Sequence, residues 1–299
     1  MFRTVRLERT RRQARAAAFA LLGLAPFTAH AAGCDRDCLG ALLTQYVDAV
    51  VAHDPTGLPV AAGLRVTEDS QPVKLGEGIW KTVTAKGTFR QDYLDTRKQV
   101  AATHVQLLEG TNQLLYSVLL YVKDRKITGV ETLVERVTPE SRFQPKVLGK
   151  PLAVMNDPVP KAKRQSRAAM IRTALTYTTG LRIGSFVDAP TVFAKEGFRV
   201  ENGVVTSGPG CGRDDCTMQT QSIMKHPDVT ASVAAVDEDN GVVLLWMNFG
   251  DTHSYGPGNA LVTFEAFKVW GGEIHAVNAF FHPLPVVTQR GWPSSDPLP

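Results

Sequence analysis

The chain repeats itself. The stretch from Asn112, NQLLYSVLLYVKDRKITGVETLVER, lies without gaps on NALVTFEAFKVWGGEIHAVNAFFHP from Asn259. Each holds an apolar strand, a two-residue turn and a second strand that begins with Ile127 or Ile274. Upstream, PTGLPVAAGLRVTED from Pro55 matches PTVFAKEGFRVENG from Pro190, which sets Arg65-Val66 on Arg199-Val200. An amphipathic helical stretch precedes each, over about 40–53 and 165–180. A chain written twice on one plan must fold as two halves of one kind, each with its helix first and its antiparallel strands after. That order predicts an α+β fold in which helices cover one face of a curved sheet.

The segment between the repeats carries Pro139, Pro145, Pro151, Pro158 and Pro160, which is linker chemistry. The expected organisation is therefore a first half over 32–137, a Pro-rich linker over 138–163, a second half over 164–287 and a C-terminal tail over 288–299. An insertion, SGPGCGRDDC from Ser207, explains most of the length difference between the halves. Pro209 interrupts its glycines and no helix obviously follows, so a disulfide-closed surface loop is expected there rather than a phosphate loop.

Residues 1–31 read as a signal peptide. Arg3, Arg6, Arg9, Arg11, Arg12 and Arg15 form a basic region, an apolar run from Ala16 to Phe27 follows, and Ala29-His30-Ala31 is a small-x-small cleavage site. Cleavage near Ala31/Ala32 predicts a periplasmic or secreted protein. No later segment reaches about 18 consecutive apolar residues, so no stable membrane span is expected. The leader's six arginines stand against Glu8 alone, so removing it turns the chain's net charge from +4 to about −1. With the basic charge confined to the leader, the remainder offers nucleic acid no electrostatic footprint.

All four cysteines follow the cleavage site, as Cys34/Cys38 and Cys211/Cys216. In an oxidising compartment two local disulfides are the simplest pairing, although three connectivities exist. Without a Cys-x-x-Cys pair, a zinc site is the weaker rival.

LTQYVDAVVAHDPTGLP, then LGEGIW, DYLD, LLEG and VKDRKITGVET, resembles the helix, loop and terminal strands of the NTF2-like cone fold. SnoaL-like cyclases, ketosteroid isomerase and scytalone dehydratase belong to that superfamily. With its Cys-x-x-x-Cys-Leu opening and FRVENG in the second half, the chain is similar to an uncharacterised exported family of bacteria and fungi that joins two such halves. The resemblance implies two NTF2-like cone halves packed as an internal pseudo-dimer, which can be monomeric overall. It implies little about reaction, because the superfamily hosts both enzymes and plain binders.

With Gly271-Gly272 as the turn, direct antiparallel pairing sets Val269 opposite Ile274, Phe267 opposite Ala276, Glu265 opposite Asn278 and Thr263 opposite Phe280. Glu265 and Asn278 are then neighbours on an apolar face. If that face lines the cone, desolvation raises the carboxyl pKa and suits it to acid–base work. In the first half, Asp124-Arg125 as the turn sets Glu131 opposite Val118, an acid on the corresponding face. The catalytic candidates are accordingly Glu265, Asn278 and Glu131. The resemblance adds Tyr46, Asp48 and His53, with Asp54, where related dehydratases and cyclases place polar pocket residues. Trp80, Tyr93 and Asp95 are candidates for the pocket mouth, with core packing the leading role for Trp80.

Arg65 with Glu68 and Arg199 with Glu201 are expected as structural ion pairs, His253 as a loop residue and His275 as exposed. No His-Glu-x-x-His, Gly-x-Ser-x-Gly, Walker or dinucleotide motif supports metal, serine or nucleotide chemistry, and no metal or cofactor is expected. The leading expectation is an exported protein that binds a small apolar molecule and carries out acid–base elimination, hydration or isomerisation on it. A non-catalytic ligand carrier is one alternative. An interaction protein whose own side chains fill the cavity is the other.

Overall fold

The computed structural model describes residues 33–146, 148 and 150–298, together with Met1 and Phe2. The leader expected over 1–31 lies outside these residues apart from its first two. No described helix is long and apolar enough to cross a membrane.

Helix α1 spans Arg36–Ala52 and helix α2 spans Arg167–Ile183, each 17 residues long. Asp35 caps α1 by accepting from the Cys38 amide, and Ser166 caps α2 by accepting from the Ala169 amide. Left-handed His53 and Gly184 end the two helices. On α1 the buried residues Leu39, Leu42, Leu43, Tyr46 and Val50 recur at helical spacing, and on α2 Met170, Ala174, Tyr177 and Leu181 do the same. Tyr46 and Tyr177 stand at the same position of their helices.

Twelve strands follow in two sets. The first comprises β1 (Val60–Glu68), β2 (Gln71–Pro72), β3 (Ala85–Asp95), β4 (Val100–Glu109), β5 (Asn112–Lys123) and β6 (Lys126–Arg136). The second comprises β7 (Phe193–Glu201), β8 (Val204–Ser207), β9 (Thr230–Asp237), β10 (Val242–Asn248), β11 (Asn259–Trp270) and β12 (Glu273–Pro285). The sheets run β2-β1-β6-β5-β4-β3 and β8-β7-β12-β11-β10-β9, so the second repeats the first strand for strand. Within each, only the pairing of the first strand with the last is parallel. The protein is thus α+β, two cone halves packed as an internal pseudo-dimer.

Each sheet buries both faces. One face packs on its own helix: Tyr46, Leu43 and Val50 meet Val105, Leu114, Val118 and Val130, while Met170, Tyr177 and Leu181 meet Leu245, Phe267, Val277 and Phe281. The opposite faces meet each other through Tyr93, Ala102, Leu119 and Leu133 on one side and Leu244, Trp246, Phe264 and Ala276 on the other. Strands covered on both faces need apolar residues on both, which is why alternation is weak in β5, β10 and β11.

A pseudo-twofold clasp joins the halves. Arg36, in the first turn of α1, pairs with Asp237 at the end of β9 at 2.7 Å. Arg167, in the first turn of α2, pairs with Asp95 at the end of β3 at 2.5 Å. Each carboxylate also accepts a backbone amide from the other half, Leu94 to Asp237 at 3.1 Å and Val236 to Asp95 at 2.9 Å.

The residues after β12 form a strap across both halves. Arg290 binds Glu131 of β6 at 2.8 Å and the Val233 carbonyl of β9 at 3.0 Å. Trp292 stacks on Tyr121 at 4.4 Å between centroids, lies under the Arg65 guanidinium at 4.4 Å, and donates its indole N–H to Thr67 at 2.8 Å. Arg65 therefore meets an aromatic ring, while Glu68 accepts from the Ile79 amide at 3.2 Å, so the expected Arg65–Glu68 pair is replaced. Trp292→Ala removes a stacked ring and a cation–π contact, and we expect it to lower stability by roughly 1–3 kcal/mol. Urea unfolding followed by circular dichroism checks this.

Candidate active site

Hairpin register decides which polar residues can meet. Gly271 and Gly272 form the β11–β12 turn, both with positive φ, and Val269 faces Ile274. The ladder then slips: Lys268 pairs with Ala276, which leaves His275 as an extra residue on β12. Beyond this bulge Glu265 pairs with Ala279, Ala266 with Asn278 and Thr263 with Phe281. One extra residue moves every later side chain to the other face. The expected Glu265–Asn278 pair is corrected: Glu265 points into the second cone, and Asn278 points to the interface between halves.

The first half carries the same bulge at Thr128, so Glu131 pairs with Leu119 rather than Val118 and also faces the interface. There it is buried with Arg290, and Tyr121 donates to it at 2.7 Å. Asn278 lies 2.9 Å from His104 Nδ1 and donates to the Tyr93 hydroxyl at 3.2 Å. Burial pushes the His104 imidazole down to about 3, so this ring is neutral. Tyr93 and Asp95 are thus interface residues and not parts of a pocket mouth.

The remaining candidates of the first half do not converge on a pocket either. Tyr46 and Trp80 pack edge to face at 5.5 Å, and the Tyr46 hydroxyl lies 3.4 Å from that of Tyr116, so buried aromatic side chains occupy the first cone. Burial pushes the Tyr46 phenol up to about 12. Asp48 is exposed and pairs with Lys86. His53 is an exposed helix cap and Asp54 caps the Thr56 amide at 2.9 Å. Both local cysteine pairs are joined, with Cα separations of 5.1 Å for Cys34–Cys38 and 6.5 Å for Cys211–Cys216. No metal-binding group of acidic, His and Cys residues occurs among the described residues.

The second cone is different. Glu265 is 1% exposed and stands at the repeat position of Val118. Burial first, and the neighbouring Glu201 second, push its carboxyl up to about 8 against the opposing pull of Arg199 and the Tyr177 hydroxyl. Arg199 Nη1 donates to the Tyr177 oxygen at 2.9 Å, Nη2 to Gln221 at 3.1 Å, and Nε lies 3.3 Å from Glu201. Because Tyr177 accepts from Arg199, its own hydroxyl proton is left for Glu265 or a ligand.

Tyr177, Arg199 and Glu201 line a cavity of about 180 Å³, closed by Phe143 from the linker, Met224, Phe249, Tyr255 and Phe281. His226 also lines it, and its buried Nδ1 has no hydrogen-bond partner among the described residues. Burial lowers the His226 pKa and keeps that ring neutral. Of these groups, sequence reasoning singled out Glu265 and treated Arg199 and Glu201 as a structural pair. The aligned helices carried a signal for Tyr177. None marked His226, which follows the insertion and lacks a counterpart in the first repeat.

Two further expectations about histidine are settled by position. His275 is the bulged residue, buried and stacked on Trp270 at 3.7 Å, not exposed. His253 is exposed. The Cys211–Cys216 loop lies against β7, where Gly208 has φ +80° and a Cβ would sit 2.2 Å from the Gly197 carbonyl. The glycine serves this close approach.

A family model described as "Domain of unknown function (DUF8021)" matches residues 163–281, the half that contains Glu265. No curated protein matches the chain. A crystal structure described as a "putative ketosteroid isomerase" from Kribbella flavida DSM 17836 is similar at 16% identity and a TM-score of 0.27. The match covers 38% of this chain and 93% of that one.

Proposed function

We propose that the second cone binds a small molecule and transfers protons on it through Glu265, in an exported protein. The carrying observation is the divergence of the repeats: behind Tyr177 and Arg199, which line the cavity, stands the buried Glu265 carboxyl, where the other cone has Val118. A proton acceptor buried beside an arginine and a tyrosine suits enolisation. Glu265 takes a proton from carbon next to a carbonyl, while Arg199 and the Tyr177 hydroxyl hold the oxygen as it gains charge. Return of that proton to another carbon gives isomerisation, and loss of a β-substituent gives elimination. The pKa near 8 leaves Glu265 protonated at neutral pH, so the base-catalysed direction speeds up as pH rises towards 8 and the acid-catalysed direction slows down.

The cavity limits the substrate. About 180 Å³ is close to the roughly 150 Å³ cavity that holds one benzene and below the 300–1,000 Å³ of ordinary ligand pockets. A single ring or a chain of similar volume fits the inner chamber. Local disulfides suit an oxidising compartment and support the exported reading.

Native mass spectrometry of the wild-type protein beside Glu265→Gln tests the chemistry. The variant keeps the cavity shape but cannot take a proton, so we expect it to retain an unprocessed species that the wild type converts. The same bound species at the same occupancy in both proteins would instead make the cone a carrier.

A further inference from the structure

The inner chamber opens beside a second, outer space of about 320 Å³ with which it shares Arg142, Phe143, Arg199, Glu201 and Ser222. Arg142, Arg199 and Arg213 all line this vestibule, against one carboxylate, Glu201, among its described lining residues. The charges come from three separate places in the chain: the linker, strand β7 and the disulfide-closed loop. Glu201 is already engaged by Arg199 at 3.3 Å. Arg213 donates to the Thr206 carbonyl at 3.3 Å and Arg142 lies over the Phe143 ring at 5.6 Å, neither of which neutralises a guanidinium. The loop's Asp214 lines a neighbouring groove with Lys195, and Arg213 borders both that groove and the vestibule.

Cys211 also lines the vestibule, and its bond to Cys216 closes the loop that carries Arg213. A cross-link around so short a loop restricts where that guanidinium can go. The inner chamber adds an apolar and aromatic wall of Phe249, Tyr255, Leu261 and Phe281, which faces polar groups of Arg199, Glu201 and His226.

We propose that the ligand of this site is a small amphipathic anion whose apolar part fills the inner chamber and whose carboxylate, or a similar acidic group, rests in the vestibule between Arg142 and Arg213. The inference rests on the second cone being the binding site and adds the chemical class of what it takes. It places the ligand's charged end at the entrance and its reactive carbon inward, towards Tyr177 and Glu265. Guanidinium groups recognise planar acids through paired N–H donors, so charge and orientation are fixed together.

Calorimetric titration of the full chain with phenylacetate, cyclohexanecarboxylate and hexanoate, each beside its neutral amide, tests the proposal. We expect at least one acid to bind about tenfold or more tightly than its amide. That preference should fall to within about twofold in the Arg142→Ala/Arg213→Ala double variant, with the unfolding midpoint unchanged. Ring acids against the linear acid separate an aromatic or alicyclic source from a short fatty acid. Amides that bind as well as acids, or a preference that survives both substitutions, overturn the anion assignment and leave the second-cone site standing. If no probe of either kind binds below about 10 mM, both the anion assignment and the site reading fall.

Discussion

Arg167→Ala is expected to lower the unfolding free energy by roughly 3–5 kcal/mol, the usual cost of removing one partner from a buried ion pair. Arg167 is 7% exposed and Asp95 fully buried, and the same guanidinium also reaches Asp296 at 2.7 Å. Burial alone would lower the Arg167 pKa, but its bonds to Asp296 and Asp95 outweigh this and raise it, so the group stays charged. Alanine would leave the Asp95 carboxylate held by the Lys98 and Val236 amides with no countercharge. For a body of this size the loss corresponds to a fall of roughly 10 °C in Tm, measurable by calorimetry. Arg36→Ala, at the pseudo-symmetric position, should cost less than half as much because Arg36 is 32% exposed and solvent screens its pair. Equal effects of the two substitutions, or a change under about 1 kcal/mol for Arg167→Ala, would mean that the clasp does not hold the halves together.

The clasp was only half legible beforehand. Aligning the repeats places Arg36 on Arg167 by their offsets within the helices, but nothing in the sequence says that each reaches a carboxylate of the opposite half. Asp95, a pocket-mouth candidate by sequence, finds its countercharge, Arg167, in the opposite half. Long-range pairing is invisible to a reading of local pattern. The fold class was legible because it depends on order and periodicity, which the repeat states twice.

The hairpin shows the limit most clearly. Turn chemistry pointed to Gly271-Gly272 and Asp124-Arg125, and the pairs nearest each turn, Val269 with Ile274 and Val122 with Ile127, follow from it. The next residue on each outgoing strand, His275 or Thr128, is bulged out of the ladder. Neither residue type announces a bulge. Because the bulge recurs at the same repeat position it belongs to the fold, and it separates Glu265 from Asn278 while leaving Asn278 and Glu131 equivalent on the interface. An apolar pattern on both faces could not reveal the slip, since a shifted register buries residues of the same kind.

Glu265→Val, which copies the first half at its repeat position, is expected to stabilise the protein above pH 8 and to abolish proton transfer. The sign follows from the raised carboxyl. Below pH 4.5 Glu265 is protonated both folded and unfolded, and the stability associated with the neutral acid is fully present. Between 4.5 and about 8 the unfolded chain ionises while the folded one keeps its proton, so that stability is progressively lost until the folded carboxyl also titrates. With each pKa unit worth about 1.4 kcal/mol, the wild type loses on the order of 5 kcal/mol relative to the variant across that window. Urea unfolding at several pH values should therefore give a wild-type curve that falls more steeply than the variant's by about one proton's worth per pH unit between 5 and 8. Parallel curves would mean that Arg199 holds Glu265 ionised as an ordinary ion pair, and the acid–base reading would fall with them. On stability alone a valine suits this position better than a carboxyl that burial must desolvate.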